Sequence, residues 1–315
     1  AGAFQALFVT GGGALALIVG IVLLSIAAGQ VIYPDVEGIR VVADLDSLLK
    51  AKTLYQHEWF PAITILIAIG AFTKSAQFPF HFWLPEAMAA ATPVSAFLHA
   101  AAVVKAGVYL LIRFSTIFHD VAVWNWLLIV VGMGTAVMSA VFAVQKTDLK
   151  KLTAYSTVSH LGWIVATIGV GTPFAIAAAL VHTLAHALFK SSLFMLIGVI
   201  DHEAGSRDIR RLGPLWNKMP WTFGSVVIGA ASMAAVPPLL GFVSKEGMLT
   251  AFEDAPIGGA GQVILLIVAG IGAFFTFTCD TSLPRKPCRH IPITFLQTSY
   301  KLLFKTQLGC LSSEK

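Results

Sequence analysis

Three ionisable side chains in one apolar run, His182, His186 and Lys190, follow an i, i+4, i+8 pattern. On a helix that spacing sets all three on roughly one face. Histidine titrates near neutral pH, and desolvation makes a lysine release its proton more readily. A stripe of this kind can pass a proton along with bound water. Two other readings stay open from spacing alone. The histidines could satisfy backbone carbonyls or neighbouring helices, or they could ligate a metal. The hydrolytic zinc motif places a glutamate directly after its first histidine, and Thr183 stands there instead.

Lys74, Lys105 and Lys245 extend the pattern, since each interrupts or ends an uncharged stretch, as Lys190 does. A charge at membrane depth is costly and usually faces a protein interior or a water-filled path. Four such lysines point to movement of protons or ions. His99 precedes Lys105 by a rise of about 9 Å along a helix, too far for a direct hydrogen bond but within reach of a bridging water. Snorkelling of Lys105 to the interface is the alternative. In the loop QKTDLKKLTAYS, Asp148 can pair with Lys150 or Lys151 and hold a lysine near the path, or the group is a simple topology cluster. His160 is a weaker candidate, and Glu246 adjoins Lys245 where its charge can modulate it.

These residues need helices to hold them. The 315-residue chain is 57% apolar and only 12% charged, well below the roughly 25% charged of soluble domains. It reads as an all-α, polytopic membrane protein with about eight spans, near 5–30, 60–84, 93–113, 122–144, 152–170, 174–200, 221–251 and 260–279. Pro79 and Pro85 break the second span, and Pro237, Pro238 and Gly241 break the seventh, each beside a lysine. Broken helices of this kind serve transporters at their ion sites. The basic loops around 146–151 and 201–218 fall on one side, which the positive-inside rule makes cytoplasmic. The net charge of +5 sits in loops and tail, so nucleic acid is not an expected partner. Residues 1–278 read as the membrane domain. Residues 279–315 form an atypical tail holding all three cysteines, Cys279, Cys288 and Cys310. Zinc binding by Cys279, Cys288 and His290 is poorly spaced, so no metal and no cofactor is expected. The chain starts Ala-Gly-Ala without an initiator methionine and is expected to be an internal fragment.

The stretches FTKSAQFPFHFWLPEAMAAATPVSAFLHAAAVVKAG, QKTDLKKLTAYSTVSHLGW, HALFKSSLFMLIG and GFVSKEGML resemble the antiporter-like membrane subunits shared by respiratory complex I and the Mrp-type multisubunit sodium/proton antiporters. The resemblance covers roughly residues 1–278. It implies two inverted five-helix repeats, each with a discontinuous helix. By motif, Lys74 resembles the lysine of the first half-channel and Lys150 the connecting position. Lys190 and Lys245 match the central and distal lysines, with His99, His182 and His186 as their relays. Lys105 in AVVKAG and the phrase VIDHEAGSRDIRRLG look more like the large subunit of the Mrp branch. The implied function is proton translocation coupled to exchange of a monovalent cation, Na+ for H+, within a multisubunit complex of a bacterial plasma membrane. A proton-pumping complex I subunit, an inactive truncated fragment and a metalloenzyme are the alternatives. The resemblance also implies that an earlier helix, bearing the glutamate that partners Lys74, is missing, and with it later helices.

Overall fold

A computed structural model describes residues 2–27, 33–35, 38–40, 57–118, 121–212, 215–256 and 262–274. The tail 279–315, with its cysteines, lies outside them, as does most of the loop after the first span. Helix α1 (Gly2–Ala27) precedes a short antiparallel hairpin, β1 (Tyr33–Asp35) and β2 (Gly38–Arg40), with Tyr33 opposite Arg40. Helix α2 (Phe60–Lys74) follows, then the short α3 (Trp83–Glu86). The remaining helices are α4 (Thr92–Phe118), α5 (Ala122–Gln145), α6 (Leu149–Gly169) and α7 (Pro173–Ala204). After them come α8 (Leu215–Lys218), α9 (Pro220–Met233), α10 (Leu240–Glu253) and α11 (Gln262–Phe274). The fold is nearly all helical. The helix-only reading passed over the hairpin because strands of three residues leave no periodic signal.

Helices α1, α4, α5 and α7 are each long and apolar enough to cross a membrane. Helix α6 carries too many Ser, Thr, His and Lys residues to match them, yet 19 of its 21 residues are buried. It is the central element, packed chiefly along α5 on one side and α7 on another. A helix enclosed by protein never meets lipid, so polar side chains are tolerated there if they find partners. Meanwhile Phe4 and Phe8 on α1, and Leu180, Leu184 and Leu188 on α7, point outward. The molecule is apolar outside, and within its largely apolar interior a set of buried Ser, Thr, His and Lys side chains gathers around α6 and α7.

Glycine sets how closely α5 and α6 approach. A Cβ on Gly162 would lie 2.6 Å from both Gly132 O and Ala136 N, and one on Gly132 would lie 2.6 Å from Ala166 N. With only hydrogens at these positions, the two backbones touch. Ser159 Oγ then donates to Ala136 O at 2.8 Å and fastens the crossing.

The two breaks share one geometry. After α2, Ser75 N donates to Ala71 O, Gln77 N to Phe72 O and Phe80 N to Gln77 O. After α9, Ala234 N donates to Ala230 O, Val236 N to Ala231 O and Leu239 N to Val236 O. Ala76 and Ala235 occupy matching places with φ of 51° and 61°, a conformation that L side chains adopt under strain. In this register Met233 stands where Lys74 stands. Two discontinuous helices were expected, and both breaks fall at the expected prolines.

Candidate functional site

The stripe on α7 faces inward: His182, His186 and Lys190 are all buried. Their partners come from other helices. Lys105 on α4 stands 2.9 Å from His186 Nδ1 and also donates to Ala100 O. A π-turn at Phe97–Ala101 widens α4 just before this lysine, and such turns free backbone groups for new partners. So Lys105 joins α4 to α7 and does not snorkel to an interface.

His160 on α6 sits at the junction of the stripe. Its Nδ1 is 3.1 Å from His182 Nε2, its ring stacks on that of His182, and its centroid is 5.4 Å from that of His186. His182 Nδ1 in turn lies 2.9 Å from Ser244 Oγ on α10. One polar chain therefore runs from Lys105 through the three imidazoles to α10.

A second branch starts one turn further along α7. Lys190 Nζ donates to Ser156 Oγ at 2.8 Å and to Thr153 O at 3.4 Å. Ser156 Oγ donates to Met233 Sδ at 3.6 Å. The carbonyl of Met233 accepts from Lys245 Nζ at 2.7 Å. Met233 ends α9, where unpaired carbonyls and the helix dipole favour a cation. Lys245 also borders a cavity of about 30 Å³ with Trp163, Met248, Leu249 and Ala273, room for about one water. Both branches thus end at the joint between α9 and α10.

The remaining candidates lie outside this junction. His99 is buried, its ring 4.8 Å from that of Phe194, and neither ring nitrogen has a hydrogen-bond partner among the described residues. Lys150 is buried at the start of α6 and its Nζ donates to Ala90 O at 2.5 Å. Lys74 is partly buried at the end of α2, and no bond from its ammonium is found among the described residues. Asp148 pairs with neither lysine side chain. It caps α6 by accepting from Lys150 N at 2.8 Å and Lys151 N at 3.1 Å, as N-cap aspartates do. Its ionic partner is Arg207, at 3.9 Å, which also approaches Asp201 at 3.7 Å. The backbone seals the same corner, with Leu149 N donating to Arg207 O and Ile209 N to Thr147 O. The two basic loops, assigned to one side by charge, therefore meet.

Sequence spacing underrated His160 and missed Ser244 and Ser156. Thr153, Ser156 and His160 fall at i, i+3 and i+7 on α6, a polar face that periodicity does contain. Contact between that face and α7 is not written in either helix alone. No cluster of three or more ligating side chains able to hold a metal is found among the described residues.

Residues 1–276 match the model of the NADH:quinone oxidoreductase/Mrp antiporter transmembrane family. The chain belongs to that family. It is 43% identical over 305 residues to a Na+/H+ antiporter subunit of Bacillus subtilis, covering 91% of this chain and 37% of that protein. A probable K+/H+ antiporter subunit of Rhizobium meliloti is 40% identical over 324 residues, covering 98% and 31%. A solved Mrp complex from Dietzia contains a chain with 48% identity and a TM-score of 0.79, covering 95% of this chain and 32% of that one. The chain thus spans about a third of the length of these relatives. As a family member it is a multi-pass membrane protein, as its apolar exterior requires.

Proposed function

We propose that this chain conducts protons within a multisubunit Mrp-type antiporter of a bacterial plasma membrane, where proton flow is coupled to exchange of a monovalent cation. The supporting observation is the chain from the part-buried Lys105 through the buried His186, His160 and His182, with Lys190 and Lys245 meeting it at the α9–α10 joint. Groups able to gain and lose protons stand within hydrogen-bond or ring contact across α4, α6, α7 and α10, and the fold spends its most buried helix on holding them. Lys74 on α2, His99 on α4 and Lys150 at the start of α6 belong to the same route in this reading, as flanking stations. The Mrp branch is favoured over a complex I subunit by the names of the relatives and by the solved Mrp complex.

Sodium is the proposed exchanged ion, following the Bacillus relative, and potassium is the second reading, following the Rhizobium one. Everted vesicles containing the assembled complex test both. Proton movement on addition of each cation is recorded before and after Lys190→Ala. A fall of about tenfold or more is expected, as for loss of a positioned proton-transfer group. Undiminished exchange in the variant would sink the proposal.

A further inference from the structure

Ser244 lies between the histidine junction and the broken helix. Its Oγ is 2.9 Å from His182 Nδ1 and 3.1 Å from Gly241 O, one turn back on α10. A hydroxyl offers a single proton, whereas its oxygen accepts from any donor in reach. Gly241 O is a carbonyl and can only accept. With the hydroxyl proton committed to that carbonyl, Ser244 Oγ is left as an acceptor toward His182. A neutral imidazole carries one N–H, and the bond made by one nitrogen decides the role of the other. His182 then holds its proton on Nδ1 and presents a bare Nε2 to His160 Nδ1, 3.1 Å away.

We propose that Ser244 is a positioning residue that fixes His182 as the proton acceptor of the histidine junction. The step it prepares is balanced within the pair. A His160 protonated on both nitrogens gives up its Nδ1 proton to His182 Nε2, leaving His160 neutral and His182 doubly protonated. Without Ser244, His182 is free to carry its proton on Nε2, where it would face His160 donor to donor and stop the transfer. Along the second branch Ser156 donates to the thioether of Met233, and a thioether does not relay a proton. Gly241 keeps the arrangement tight, because a Cβ on it would overlap Ser232 O at 1.7 Å. The α10 turn bearing Ser244 is thereby pressed onto the end of α9, and opening of the joint would withdraw the hydroxyl from His182.

The inference rests on the relay proposed for this chain, and two readouts keep their failures apart. The complex is labelled with 15N-histidine in membranes, and magic-angle-spinning NMR, with His182→Gln for assignment, reports which His182 nitrogen carries hydrogen. The expected native signature is a protonated Nδ1 and a bare Nε2. Ser244→Ala is expected to abolish that preference and to slow cation-driven proton movement by about tenfold or more. Ser244→Thr, which keeps a hydroxyl, is expected to retain the signature and to run within about twofold of native. A native His182 protonated on Nε2 overturns the proposal, as does slowed transport in Ser244→Ala with its tautomer unchanged. If Lys190→Ala leaves exchange intact, the relay falls while the tautomer result still judges Ser244.

Discussion

Gly162→Ala alters no polar group, yet it is expected to impair transport. The added methyl would lie 2.6 Å from Gly132 O and Ala136 N and 3.0 Å from Ala136 Cα, all backbone atoms that cannot rotate away. Ordinary contact begins at 3.4 Å, so α5 and α6 must part by about 0.8 Å, an overpacking that costs about 1–3 kcal/mol. Ser159, three residues earlier, bonds across the crossing to Ala136 O at 2.8 Å, and His160 is its neighbour. Moving α6 by that distance displaces His160 relative to His182, where the present separation is 3.1 Å. A misplacement of about 1 Å at a transfer site costs about a hundredfold. Part of the shift is absorbed by side-chain rotation, so the expected loss is about tenfold to a hundredfold. The assay is cation-driven proton movement in everted vesicles, normalised to the amount of complex. Gly134→Ala on α5 is the control, since a Cβ there meets nothing within 4 Å. Native transport in Gly162→Ala, at native abundance, would refute the reasoning that this crossing positions the junction.

Other perturbations address the edges of the site. Lys105→Met keeps the volume but leaves His186 Nδ1 and Ala100 O without their donor. Each unpaired buried acceptor costs about 1–3 kcal/mol, and a lowered Tm in detergent checks it. Adding His186→Leu to Lys105→Met should recover part of that loss in a double-mutant cycle. Asp148→Ala removes the α6 cap and is expected to cost about 1 kcal/mol, while Asp148→Asn, an equally good cap, should cost little. The Arg207 link adds little to either, being 3.9 Å long between side chains 37% and 33% exposed. In the loop after α7, hydrogen bonds from Arg210 hold the Asp208 carboxyl down at about 2. A depressed carboxylate supports the fold at neutral pH and loses that support only as pH falls toward 2. Arg210→Ala should return the Asp208 titration toward the ordinary carboxylate range, which NMR titration reads.

Much of this arrangement is legible in the sequence. The i, i+4, i+8 stripe of His182, His186 and Lys190 is buried as its spacing implies, because one helix fixes which of its own residues share a face. The prolines locate both breaks for the same local reason. What connects helices is less legible. The role of His160 depends on α6 meeting α7, and that meeting depends on the glycine crossing with α5. Asp148 shows the limit from the other side, since proximity in sequence suggested a lysine partner. The aspartate instead took the nearest backbone N–H groups, as a cap does. The equivalence of Lys74 and Met233 also escapes reading, because the two breaks share a backbone path but few residue types. That equivalence divides the halves chemically. The first break carries its lysine before the strained alanine, and the second carries Lys245 after it, bonded back to the helix end.

Proton conduction by this chain, as proposed, depends on crossing between α6 and α7 through the imidazole junction. The decisive experiment is cation-driven proton movement in vesicles carrying His160→Leu, with complex abundance and assembly matched to native. The rate is expected to fall by about tenfold or more, since His160 is the α6 imidazole that stands against both His182 and His186. Exchange at the native rate in an assembled His160→Leu complex would contradict the proposed path.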